Sequence, residues 1–244
     1  MGERASADSS FFAALVALMA RLRGPSGCPW DREQDHRTLR PCLLEETYEV
    51  LEAIDRGDAE ALRQELGDLL LQIVFHAQLA SEAGDFNIED VVRSIHDKLI
   101  ARHPHVFGQT SVETPEEVLH QWDRLKRGER GENGGDVLAE VPVTLPALAR
   151  AQVVRRRAAR AGAGRGAEEV EATACAAVGV LTRGKLDPEQ AQAALGELLL
   201  AAVDLAQAAG VDAEQALRER VNRSLSEMGG PASDNSHRPR AGPG

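Results

Sequence analysis

The sequence predicts an all-α protein built from tandem helical bundles, and three observations support this prediction. Hydrophobic residues make up 43% of the 244 residues, whereas aromatic residues make up only 3%. Strands favour aromatic and β-branched side chains, so this composition favours packed helices. Apolar residues recur at helical spacing along most of the chain. Finally, residues 66–71 (LGDLLL) match residues 195–200 (LGELLL), so the second half resembles a shortened copy of the first.

Most of the predicted helices have a start or stop signal. Asp58, Asn87 and Thr114 are suited to cap helices, and Gly24 with Pro25 ends the first one. The helices are predicted over residues 11–23, 39–56, 58–81, 88–102, 115–126, 146–161, 167–182, 188–209 and 212–228. The helix over 88–102 has one apolar face, which is expected to point inward. That face consists of Val91, Val92, Ile95 and Leu99.

Charge and cysteine content restrict the class of protein. The net charge of −11 argues against a nucleic acid or an anionic membrane as the main partner. No apolar run approaches the length of a membrane span, and residues 11–20 lack the basic start and cleavage site of a signal peptide. Cys28, Cys42 and Cys175 are odd in number and lack metal-type spacing, so we expect reduced thiols in a cytoplasmic protein.

The hairpin over residues 39–81 carries acidic side chains at matching distances from its turn. Glu49 lies 8 residues before Gly57 and Glu65 lies 8 after it, while Glu46 and Asp68 lie 11 before and 11 after. Residues equidistant from the turn of an antiparallel hairpin lie at the same height. Four carboxylates could therefore converge, an arrangement that repulsion makes costly unless a cation lies between them.

The side chains available select the kind of metal. Carboxylates without histidine or cysteine favour a hard cation, Mg²⁺ or Mn²⁺. Di-iron bundles use a Glu-x-x-His pair, whereas this hairpin has Glu65-x-x-Asp68 and places His76 two turns further on. Mg²⁺ completes its shell with water and substrate phosphates, so the pattern points to hydrolysis of a phosphoanhydride.

Three basic residues in the same half could neutralise a polyphosphate. They are Lys98, Arg102 and Lys126. An acid-rich helix face is more often simply solvated, and lysine and arginine near a helix end often only complement its dipole. From the residues alone, a metal site and a solvated face are about equally supported.

Several motifs together resemble the MazG family of nucleoside triphosphate pyrophosphohydrolases. The similarity covers most of residues 11–228, and the tandem-domain bacterial members share it. The motifs are the acidic set Glu45-Glu46-x-x-Glu49 with Glu65-x-x-Asp68, Cys28-Pro29-Trp30-Asp31-x-x-Gln34, LLEETYEVLEAI (43–54), ELGDLL (65–70), RHPHVF (102–107) and LPALARAQ (145–152).

This resemblance implies an all-α dimer of tandem MazG-like bundles that uses Mg²⁺ to hydrolyse nucleoside triphosphates to monophosphate and pyrophosphate. Carried over position by position, the metal ligands are Glu46, Glu49, Glu65 and Asp68. Glu45 ligates the metal or orients the attacking water. The positions that match substrate contacts are Lys98, Arg102, Trp122 and Lys126, and those that match the loop near the nucleotide are Trp30, Gln34 and His36.

The second copy departs from the family pattern, because tandem members can keep a full acidic set there. Glu65 corresponds to Ala194 and Asp68 to Glu197. We therefore expect residues 1–130 to be the catalytic domain, 131–145 a linker, 146–228 a degenerate repeat used for dimerisation, and 229–244 a disordered tail. Two alternatives stay open: a dedicated dUTP/dCTP or phosphoribosyl-ATP pyrophosphohydrolase, and a non-catalytic helical dimer with a vestigial site.

Overall fold

A computed structural model describes residues 3–108, 110–112, 114–115, 117–118, 121–122, 125, 141–183 and 187–228. Within these residues the regular structure is helical and contains no strand, which confirms the all-α prediction. The helices are α1 Glu3–Arg23, α2 Pro29–Glu33, α3 Arg40–Arg56, α4 Ala59–Ala83, α5 Ile88–Arg102, α6 Pro104–Phe107, α7 Ala147–Arg160, α8 Ala167–Leu181, α9 Pro188–Ala208 and α10 Ala213–Glu227.

The observed helix ends agree closely with the predicted ones, apart from the start of α1, and the short helices α2 and α6 lie where a loop and a helix stop were predicted. Helix α1 begins at Glu3, so residues 3–10 extend the helix that was predicted to start at residue 11. In the helix predicted over 115–126, the Glu117 amide donates to Thr114 Oγ1 (3.2 Å), as expected of a capping threonine. Lys126, most of the predicted linker (131–140) and the predicted tail (229–244) lie outside the described residues.

The turn between α3 and α4 fixes the height of every side chain in the hairpin. Gly57 adopts φ 66°, a left-handed conformation that glycine reaches without strain. Two backbone bonds close α3, from the Gly57 amide to Ile54 O (3.0 Å) and from the Asp58 amide to Ala53 O (3.1 Å). Asp58 then caps α4 by accepting from two backbone amides. The two helices therefore run antiparallel and pack along their length.

The core of the first compact unit, residues 1–126, lies between α1 and α4. Its buried members are Met19, Leu39, Val74, Phe75 and Leu79. At the edge of this core, Arg23 forms an ion pair with Glu82 (2.7 Å). The Arg23 guanidinium lowers the pKa of Glu82 and also lies over the Phe75 ring, 5.5 Å from its centroid. These contacts anchor α4, the helix that carries Glu65 and Asp68.

The prediction that the apolar face of α5 points inward is wrong for three of its four residues in the single chain, and only Val91 is half-buried. Val92, Ile95 and Leu99 are 47%, 52% and 48% exposed. Helix α5 packs against α4 and α6, and these contacts leave its apolar face in solvent. An amphipathic pattern specifies a face to be buried but not whether the same chain supplies the cover.

The second compact unit, residues 127–244, contains α7 to α10. Helices α8 and α9 pair most extensively, and α7 packs on α9 and α10. A bidentate ion pair joins α7 to α9, with Arg155 donating to both carboxylate oxygens of Asp204 at 2.5 Å. Asp204 raises the pKa of Arg155. Arg165 Nη1 lies 3.7 Å from the same carboxylate, while Arg165 Nε pairs with Glu169 at 2.8 Å, so Asp204 contacts two arginines of which one has a second acidic partner.

Among the described residues, no single helix is long and apolar enough to cross a bilayer. The helices Pro188–Ala208 and Ala213–Glu227 reach that length and apolarity only when they are taken together, and the chain bends by 106° between them.

Candidate active site

Three acidic side chains meet across the α3–α4 hairpin. Glu46 and Glu49 on α3 and Glu65 on α4 each offer a carboxylate oxygen, and these oxygens all lie within 4.8 Å of one another. All three residues are half-buried, and Oε2 of both Glu46 and Glu65 is buried. Like charges this close together raise the free energy of the folded chain unless a cation compensates them.

The hairpin geometry explains which predicted ligands meet. Glu46 and Glu49 share a face of α3 because they are three residues apart, and the turn at Gly57 brings Glu65 to the height of Glu49. Asp68 lies one turn further along α4 and is half-buried, but it is not part of the three-carboxylate group. Glu45, the residue before Glu46 on α3, is exposed and is not part of the three-carboxylate group either.

The donor set fits a divalent cation. All of its ligand atoms are carboxylate oxygens, which hard cations prefer, and the three oxygens lie within 4.8 Å of one another, close enough to share one ion. A cation bound between α3 and α4 would therefore remove the repulsion that the sequence builds into the hairpin.

The predicted basic residues lie on α5, the helix that packs beside α4. Lys98 is exposed and Arg102 is half-buried. They are four residues apart and thus share one face of α5. The third predicted basic residue, Lys126, lies outside the described residues.

The segment after α5 holds Trp122 in one orientation. Its ring meets the His103 ring edge-on, with centroids 4.9 Å apart and an interplanar angle of 78°. His103 is itself fixed by a hydrogen bond from Nδ1 to Leu99 O (2.6 Å). Beside it, His105 Nδ1 bonds to Oε1 of the buried Gln121 (3.1 Å). The histidines of the RHPHVF motif therefore position the predicted substrate-contacting tryptophan.

The loop before α3 carries the remaining predicted site residues. Trp30 lies in α2 and is 40% exposed. Gln34 Nε2 donates to Trp30 O (3.0 Å), and Arg23 donates to Gln34 O (3.2 Å). His36 stacks on His76 of α4, with centroids 5.1 Å apart, rings parallel within 1°, and the two Nδ1 atoms 2.8 Å apart. The loop is therefore tied to the helix that carries Glu65.

The sequence predicted no function for two residues of α4, Gln72 and His76. His76 was considered only because it lies too far along α4 to complete a di-iron motif. In the structure Gln72 is buried and His76 is half-buried. The pKa of His76 is lowered, mainly because burial disfavours the charged imidazolium and secondarily because His36 lies beside it. The sequence signal for them is their spacing: Asp68, Gln72 and His76 follow Glu65 at steps of three, four and four residues, which places all four on one side of α4.

The lowered pKa of His76 predicts a pH effect on stability. The unfolded chain takes up a proton near the ordinary histidine pKa of 6.5, whereas folded His76 does so only at lower pH. The contribution of neutral His76 to the free energy of unfolding is therefore fully present above pH 6.5. It is lost as the pH falls through the pKa of His76 in the folded protein. Urea unfolding at pH 7.5 and 5.5 should show that His76→Leu loses less stability on acidification than wild type. An equal loss in both proteins would contradict this expectation.

Comparison with known proteins places this geometry in a family. The family model described as the MazG nucleotide pyrophosphohydrolase domain matches residues 34–107, which include the acidic cluster together with Lys98 and Arg102. A relative from Escherichia coli K12 is 44% identical over 229 residues, covering 88% of this chain and 85% of the relative. The chain belongs to the MazG family.

Other MazG relatives agree. One from Thermotoga maritima is 40% identical over 213 residues, covering 87% of this chain and 82% of its own length. One from Mycobacterium tuberculosis is 44% identical over 149 residues, covering 60% of this chain and 44% of its own length. Each of these relatives is named as a nucleoside triphosphate pyrophosphohydrolase. The resemblance drawn from the motifs is thereby confirmed.

Proposed function

We propose that this protein hydrolyses nucleoside triphosphates to nucleoside monophosphate and pyrophosphate, which would remove unwanted nucleotides or control the nucleotide pool. The observation that carries the proposal is the cluster of Glu46, Glu49 and Glu65 inside the matched MazG domain. The names of the relatives support the same reaction. The first unit is the proposed catalytic domain, since the second has lost the acidic set.

The proposed metal is Mg²⁺, with Mn²⁺ as an alternative, held by the three clustered glutamates and Asp68. When bound, such an ion polarises a phosphoryl group and lowers the pKa of a coordinated water. Glu45, the exposed neighbour of Glu46 in the sequence, ligates the ion or orients the attacking water. Lys98, Arg102 and Lys126 are the proposed basic residues that neutralise the negative charge of the triphosphate. Trp122, held by His103, forms a rigid wall of the substrate site.

The proposed assembly is a cytoplasmic homodimer that binds neither nucleic acid nor membrane. The exposed apolar face of α5 supports a dimer, because a second copy would remove Val92, Ile95 and Leu99 from water. Light scattering after size exclusion should give twice the monomer mass of 26.2 kDa. A monomer mass over a wide concentration range would refute the dimer but not the reaction.

Product identification tests the reaction. The protein is incubated with each of the eight common NTPs and dNTPs and Mg²⁺, and the products are separated by anion exchange. Monophosphate plus pyrophosphate is the expected result, and EDTA should abolish it. Diphosphate plus phosphate would overturn the proposal. Turnover restricted to dUTP and dCTP, or to phosphoribosyl-ATP in a separate assay, would indicate a dedicated enzyme, and no turnover of any nucleotide would favour a vestigial site.

A further inference from the structure

One polar stripe runs along α4 away from the carboxylate cluster. Glu65, Asp68, Gln72 and His76 follow one another at intervals of three, four and four residues, which keeps them on one side of the helix. With a rise of about 1.5 Å per residue, Gln72 lies about 6 Å and His76 about 12 Å beyond Asp68. The stripe therefore extends from the metal end of the site over a distance comparable with a ribose and a base.

The two far members of the stripe carry buried polar atoms with no partner among the described residues. Gln72 is only 6% exposed, and its Oε1 accepts no hydrogen bond. His76 Nε2 is likewise buried and unpaired, although His76 Nδ1 is bonded to His36. Buried polar groups are nearly always paired, and unpaired ones are destabilising. Two adjacent exceptions on one helix face point to a ligand that supplies the missing partners.

The second repeat is an internal comparison for this stripe. Extending the match of residues 66–71 with 195–200 aligns Val74 with Val203, and both valines are fully buried. The same alignment pairs Gln72 with Ala201 and His76 with Leu205. The packing residue persists, whereas the two polar residues disappear together with Glu65, which becomes Ala194. An apolar pair at these positions is thus compatible with the equivalent helix of the second unit, so the shared helix pattern does not by itself require a glutamine and a histidine there.

The chemistry of the pair suits a nucleobase. A glutamine amide offers a donor and an acceptor side by side, the arrangement with which side chains read base edges. The lowered pKa of His76 keeps its imidazole neutral near pH 7, so that it can form hydrogen bonds without binding phosphate as a cation. His36, which precedes α3, stacks on His76 and therefore lies at this end of the stripe.

We propose that Gln72 and His76 are specificity-determining residues that read the edge of the substrate's nucleobase. Gln72 Oε1 accepts from an amino or ring N–H group of the base, and His76 Nε2 pairs with the neighbouring position on that edge. The inference rests on the proposed function, because the triphosphate bound at the carboxylate cluster sets where the base lies.

The test is calorimetric binding of the α,β-imido analogues of ATP, GTP, CTP and UTP in the presence of Mg²⁺. Inorganic tripolyphosphate is the probe without a base. The variants are Gln72→Ala and His76→Leu, singly and together, which install the residues of the second repeat. Gln78→Ala is the matched control, since Gln78 lies on the same helix but bonds to Glu82. Pyrophosphate release from the natural nucleotides is measured on the same samples.

Wild type should prefer one base over another, and the double variant should lose about 10- to 100-fold in affinity for the preferred base, the range expected for a bidentate base contact. Its affinities for the four analogues should then converge, while binding of tripolyphosphate stays unchanged. Gln78→Ala should keep the wild-type preference. If the double variant does not fold, Gln72→Met, which keeps the side-chain length, carries the same expectation.

Three results would overturn the inference: equal affinity of wild type for all four bases, an unchanged preference in the folded variants, or an equal loss of tripolyphosphate binding. Base-selective binding that depends on Gln72 and His76 without pyrophosphate release would instead refute the proposed reaction alone. The two failures are therefore distinguishable.

Discussion

Replacing Glu49 by glutamine is expected to reduce pyrophosphate release at least about 100-fold while the protein stays folded, since even groups that only support metal ligands are worth 10- to 100-fold. Glu49 contributes one of three carboxylate oxygens that lie within 4.8 Å of one another. The neutral amide keeps the shape of the side chain but removes its charge. Asp68→Ala should lower activity in the same way if Asp68 completes the metal site. Initial rates with Mg²⁺ and a saturating nucleotide measure both effects.

The chain supplies two matched controls for these variants. Glu52→Gln alters an acid one turn further along α3 that is bonded to Arg56 and lies outside the cluster. Glu197→Ala removes the exposed acid that corresponds to Asp68 in the second repeat. Both controls should keep wild-type rates. Undiminished release from Glu49→Gln, or its loss from Glu197→Ala, would show that the chemistry is not located in the first unit.

The loss of Asp204 is expected to have the largest effect on stability, about 3–5 kcal/mol, the range for removing one partner of a buried ion pair. The side chains of Arg155, Arg165 and Asp204 are only 17%, 19% and 11% exposed. Asp204→Ala would leave two guanidinium groups largely buried near each other, with Glu169 the nearest remaining acid for Arg165. Unfolding in urea, followed by circular dichroism, measures the change.

A surface ion pair of the same unit provides the comparison. Arg220 and Glu227 are both 58% exposed, so Glu227→Ala should cost at most about 1 kcal/mol. Similar free energies of unfolding for the two variants would mean that the Asp204 network contributes no more than a surface pair. Activity at temperatures below both transitions should remain, because Asp204 belongs to the unit without the acidic set.

The hairpin was predictable from sequence because its signals are local. A glycine with a positive φ ends α3, an aspartate caps α4, and equal distances from Gly57 place Glu49 opposite Glu65. The predicted limits of α5 and α8 to α10 fall within about one residue of the observed ones for the same reason. Backbone geometry and capping act over a few residues and can be read without knowledge of the partners.

The sequence did not predict features that depend on packing partners. The apolar face of α5 was expected to be buried, yet the single chain leaves it exposed. Gln72 was not recognised because its spacing from Asp68 places it on the face of the acidic residues but does not show whether its amide is buried. The His36–His76 stack joins residues 40 positions apart, and His103 meets Trp122 only after α5 and α6 turn the chain.

The sequence by itself determined the all-α class, the helix limits, the repeat and the acidic set that predicts a metal site, because periodicity, caps and residue spacing are properties of neighbouring residues. Only the tertiary structure decided which three acids share a point, which arginines depend on Asp204, and which polar atoms on α4 are buried without a partner. Burial and distance are set by the elements packed around a side chain, and the free energy of a buried charge or amide depends on those surroundings.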